Sequence, residues 1–107
     1  MPEIDPARAG NFGAVSLADA APEGRVAPVP LVSLDRACHD LDRLDAIKID
    51  VEGMELDVLK GAQGLIERFR PLLVPENDRA DRSPALVAHL LALDYRCYWH
   101  VHPLYNP

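Results

Sequence analysis

The chain has 107 residues, about half of them hydrophobic, which suits one small domain with a modest core and excludes a disordered composition. Its 17 acidic residues outnumber 11 basic ones, for a net charge of −6. That balance argues against nucleic acid or a membrane surface as a partner. No apolar run reaches transmembrane length and no secretory leader opens the chain, so a cytoplasmic location is expected. Cys38 and Cys97 match no CxxC pattern and read as two reduced thiols.

Residues 1–30 are rich in Pro, Ala and Gly and read as an irregular N-terminal arm or insertion. Within them only Phe12 to Leu17 has the look of a short strand, and Asn11-Phe12-Gly13 that of a turn. Val29 to Val32 reads as a short strand. Ser33 then stands as an N-cap before a short helix, Leu34 to Leu41. The central element follows: an apolar run from Ile47 to Val51, broken by charge and stopped at Gly53. After it, Leu59, Ala62, Ile66 and Phe69 fall on one helical stripe, with Val58 and Leu65 beside them. Gly61 and Gly64 weaken that helix locally and suggest a close approach to the sheet. Pro71 ends it, behind Arg68 and Arg70.

Leu72-Leu73-Val74 is a continuous apolar run suited to a buried parallel strand. It ends in Pro75-Glu76-Asn77-Asp78. Ser83-Pro84 then opens a helix as cap and first position, with Leu86, Val87, Leu90, Leu91 and Leu93 on its apolar face. His89 reads as an exposed helix residue. Tyr95 to His100 reads as a last strand, and the His100/His102 pair is a weak metal-like spacing. Alternating strands and helices predict an α/β fold, a mostly parallel sheet with flanking helices and right-handed crossovers.

In such sheets, ligands bind beyond the carboxyl ends of the strands. Asp50, Glu52, Glu76 and Asn77 all map to that edge. Strand alternation would put Asp50 and Glu52 on one face. Two carboxylates there suit a cation, a hydroxyl or a proton; the plainer reading is an acidic helix cap and a solvated turn.

The stretch Ile47-Lys48-Ile49-Asp50-Val51-Glu52-Gly53-Met54-Glu55, with Val58-Leu59-Lys60-Gly61-Ala62, resembles the central signature of the FkbM family of S-adenosylmethionine-dependent methyltransferases. Arg70-Pro71-Leu72-Leu73-Val74, Glu76-Asn77-Asp78, Asn11-Phe12-Gly13, Val32-Ser33-Leu34-Asp35, the Tyr95 to His100 run and the Pro103 to Pro107 tail fit the same pattern. Pro75 and His102 depart from it. The resemblance implies a partial class I methyltransferase (Rossmann-like) fold, with residues 31–107 as its carboxyl-terminal half. The glycine-rich turn for the cofactor's methionine portion and the acid for its ribose find no counterpart in these residues.

The activity implied is O-methylation of a hydroxyl on a sugar or natural product, with S-adenosylmethionine as methyl donor. Asp50 and Glu52 would be catalytic, and Glu76, Asn77 and Asn11 would bind the acceptor. Asp50, Glu76 and Asn77 also resemble the magnesium ligands of catechol-type methyltransferases, and hard oxygen donors suit that ion. Two other functions compete: a non-catalytic remnant or binding module of the same fold, and a response-regulator-like domain with Asp50 as phosphoacceptor. The latter lacks a convincing partner set. Half a sheet is expected to leave a raw edge on the Val29–Val32 side, favouring a homodimer or an additional N-terminal segment.

Overall fold

The computed structural model describes residues 28–101, so Asn11, the Phe12 to Leu17 segment and His102 lie outside the described residues. The element order is α1 (Leu34–Ala37), β1 (Ala46–Ile49), α2 (Glu55–Lys60), α3 (Gln63–Phe69), β2 (Leu72–Pro75) and α4 (Ser83–Ala92). The two strands form a parallel pair, Ala46 opposite Leu72 through Ile49 opposite Pro75. The described residues thus form a small α/β arrangement with a two-stranded parallel sheet.

Strand alternation sorts the side chains. Ile49 is buried and Ile47 and Leu73 pack against a core made of Ile49, Leu59, Ala62, Ile66, Leu86 and Leu90. Ala46, Lys48, Leu72 and Val74 form the other face, and Leu72 remains 66% exposed. All the helical packing therefore falls on the odd-numbered face of these strands. Pro75 does not break the ladder. Leu72 donates to Asp45 and Glu76 donates to Ile49, each at 2.8 Å, so the even residues of β2 face β1. The Pro75 nitrogen points to the outer edge, where no strand lies among the described residues and the missing N–H costs no ladder bond.

Four expected elements are corrected. Val29 to Val32 is not a strand: Pro28 and Pro30 remove alternate donors, and Leu31 is 85% exposed. The single helix expected after Gly53 is two helices, broken at Gly61-Ala62. The cause is α1, where Ser33 accepts the Arg36 N–H as the expected N-cap but the helix lasts one turn. Asp35 then accepts the Gly64 and Leu65 N–H groups, both at 2.9 Å, and caps α3 from 29 and 30 residues away. The Asp35 N–H donates to the Gly61 carbonyl at 2.9 Å. A Cβ on Gly64 would lie 3.2 Å from the Asp35 carboxylate, so the glycine admits α1 rather than the sheet.

The third correction concerns α4. Arg82, not Ser83, holds the N-cap position, and the Ser83 hydroxyl instead accepts the Asn77 amide at 3.0 Å. Leu86 and Leu90 are buried while Leu91 is 57% exposed, and His89 is half-buried with an enclosed Nε2. The fourth is the expected last strand. Residues 95–101 make no ladder with β1 or β2. Arg70, left-handed at φ 50°, donates to the carbonyls of Leu93 (2.6 Å) and Asp94 (3.0 Å) and lies over the Tyr95 ring. The Tyr95 hydroxyl donates to the Pro71 carbonyl at 2.9 Å. This clamp closes the end of α4 onto the start of β2, and Tyr98 and Trp99 beyond it stay exposed.

Candidate functional site

The site grows from the end of β1. Lys48 and Asp50 share the open face two residues apart, and Lys48 Nζ donates to Asp50 Oδ2 at 2.7 Å. The chain then turns sharply. Glu52 has φ 51° and Gly53 φ 95°. The left-handed region is unfavourable for Glu52, so something must hold the turn. Glu55, buried at the start of α2, supplies that hold: its Oε1 accepts the Gly53 N–H at 3.0 Å and the Val51 N–H at 3.4 Å. It is the one buried charged residue among those described, and its charge is spent on backbone donors.

Glu76 follows the last residue of β2, on the same edge. One oxygen from each of Asp50, Glu52 and Glu76 lies within 4.8 Å of the others. Asp50 is held below the usual carboxylate range, first by the Lys48 hydrogen bond and next by one with Glu76. Glu76 is pushed above it, first by its hydrogen bond with Asp50, then by the Asp50 charge, burial, and the Asp78 and Glu52 charges. Lys48 is raised, chiefly by Asp50. The two carboxyls thus shift each other in opposite directions, Asp50 ionising the more readily.

Glu52 has a different partner, Arg79, with Nη2 3.0 Å from Oε2. Arg82 donates to the Gly53 carbonyl. Glu76, Asn77, Arg79 and Arg82 line a cavity of about 250 Å³ together with Gly53 and Leu86. Asp50 stands outside its lining.

The structure therefore brings Asp50, Glu52 and Glu76 together. Asn77 is turned to Ser83, and Asn11 lies outside the described residues. Sequence reasoning assigned no role to Lys48, Arg79 or Arg82. The signal for Lys48 was its charge inside an apolar run, two residues from Asp50. Arg79 and Arg82 act across 27 and 29 residues, and nothing local announces them. No helix among the described residues is long and apolar enough to cross a membrane.

A family comparison matches the methyltransferase FkbM domain over residues 3–97. The chain belongs to the FkbM methyltransferase family. The FkbM match covers the acidic turn, the strands and helices of the described residues and the Arg70–Tyr95 clamp. No curated protein and no solved structure matches the chain.

Proposed function

We propose that this FkbM chain serves in methyl transfer from S-adenosylmethionine to the oxygen of a hydroxyl group on a sugar or natural product. Residues 31–107 then act as the carboxyl-terminal half of a Rossmann-like methyltransferase domain. The observation that carries this reading is the Asp50–Glu76 pair at the carboxyl ends of two adjacent parallel strands, in a chain of this family. In the transfer, the acceptor oxygen attacks the methyl carbon, the carbon–sulfur bond breaks, and the neutral thioether leaves. The acceptor's proton passes to the Asp50 carboxylate. Lys48 keeps Asp50 ionised and oriented, and Glu76 offers the acceptor a hydrogen bond. Asn77 forms part of the cavity beside it.

The acidic edge fits the acceptor side of this reaction. Among the described residues no glycine-rich turn follows a strand to receive the donor's methionine portion, so weak affinity of this chain for the donor is part of the reading. The second reading is magnesium at Asp50, Glu52 and Glu76, favoured by their spacing. Against it, Lys48 already neutralises Asp50 and Arg79 neutralises Glu52. With two of its three carboxylates already paired with cations, the donor set fits a divalent ion poorly.

Incubation with methyl-labelled S-adenosylmethionine and a panel of hydroxyl acceptors tests the proposal. Label on an acceptor oxygen, retained in EDTA, is the expected product. Label on nitrogen or carbon would contradict the acceptor assignment, and loss of transfer in EDTA would favour the metal.

A further inference from the structure

Beyond the last ladder bond, from Glu76 to Ile49, the two edge loops separate. Among the described residues no backbone hydrogen bond joins residues 50–54 to residues 77–82. Two arginines cross the gap. Arg79 meets Glu52 at 3.0 Å and also lies 3.8 Å from Asp78. Arg82 donates to the Gly53 carbonyl and lies 3.9 Å from Asp81. The turn is shaped to receive them. Its left-handed Glu52 carries the carboxylate that Arg79 meets, and a Cβ on Gly53 would collide with the Arg82 guanidinium.

We propose that Arg79 and Arg82 are positioning residues, a two-point latch that locks the Asp50 turn against the Glu76 loop. The latch rests on the methyl-transfer reading for its effect on turnover, and on geometry alone for its effect on the loops. Three carboxylates within 4.8 Å repel one another, and the Arg79 charge on half-buried Glu52 offsets one of them. Arg82 fixes the turn's height through a backbone carbonyl, which no change of acidic side chain would release. A planar guanidinium suits both tasks better than an ammonium, because its donors point in fixed directions.

The test uses the full chain with Arg79→Gln plus Arg82→Gln, Arg79→Lys, and Glu52→Gln. The first readout is nuclear magnetic resonance of the amides at Gly53 and Met54 and of the Asp50 and Glu76 carboxyl carbons. In the double variant the Gly53 amide, still bonded to Glu55, exchanges about tenfold faster because the turn opens more readily once the Arg82 bond to the Gly53 carbonyl is lost. Both carboxyl resonances shift, while the Ile66 amide in the core keeps its protection. Arg79→Lys falls between wild type and double variant. Unchanged exchange and unchanged carboxyl resonances would overturn the latch. Should the double variant fail to fold, Glu52→Gln retains both arginines and backbone, and must itself shift Asp50 and Glu76. The second readout is methyl transfer, in which kcat falls while KM for the donor holds. Loosened loops with unchanged kcat would overturn the positioning role. Loosened loops in a chain whose wild type transfers no methyl group would leave the latch standing and remove the methyl-transfer reading instead.

Discussion

The buried Glu55 carboxylate accepts the N–H of Gly53 at 3.0 Å, closing the turn that carries Asp50 and Glu52 out of the sheet. Gly53 sits at φ 95° with the Arg82 guanidinium where a side chain would be. Gly53→Ala is expected to destabilise the chain by about 1–3 kcal/mol, the range for a strained left-handed residue. Glu55→Leu leaves the Gly53 and Val51 donors without their acceptor and costs about 1–3 kcal/mol. Urea denaturation checks both; midpoints equal to wild type would show that the turn is not held this way.

Asp35 makes the second prediction. Its carboxylate is the N-terminal cap of α3, and no residue within α3 replaces it. Asp35→Ala is expected to cost about 0.5–2 kcal/mol, and Asp35→Asn less, since an amide oxygen still caps. Thermal melts of the two variants give the comparison. Equal losses would indicate that the charge, rather than the cap, is what matters.

The turn and the two strands were readable because their signals are local: period-2 burial in Ile47 and Ile49, a glycine where the turn needs positive φ, and acidic residues as the strands end. The break in the second helix was not, because its cause is Asp35, about thirty residues away. Pro28 and Pro30 outweighed the apolar character of Val29, Leu31 and Val32, and the aromatic run after Tyr95 has no neighbouring strand to pair with among the described residues. In the site, residue types were visible and partners were not. Asp50, Glu52, Glu76 and Asn77 could be assigned to one edge, whereas the contacts Lys48 makes with Asp50, Arg79 with Glu52 and Ser83 with Asn77 depend on the fold.

Titration separates the two carboxylates. Asp50 ionises lower in the folded chain than in the unfolded one. Its contribution to stability is therefore present above its unfolded value and is lost as pH falls through the folded one. Glu76 behaves oppositely: its contribution is complete below its unfolded value and is lost as pH rises through the raised one. Carbon-detected titration of the side-chain carboxyls should show Asp50 losing its proton first. Lys48→Met removes the largest cause and should move Asp50 back upward. Identical Asp50 curves in wild type and Lys48→Met would refute the pairing.

Donor binding is the fourth expectation. Calorimetry with S-adenosylmethionine should give an affinity weaker than micromolar, less favourable than about −8 kcal/mol. Tighter binding would mean that the donor is held by a different set of groups from the glycine-rich turn that these residues lack.

The most direct measurement is the rate of methyl transfer by Asp50→Asn beside wild type, at saturating donor. The asparagine keeps the size of the side chain and removes the base. Turnover should fall about 100-fold or more, the range of general-base contributions, while donor affinity stays the same. A variant that transfers methyl groups at the wild-type rate would contradict the assignment of Asp50 as the group that takes the acceptor's proton.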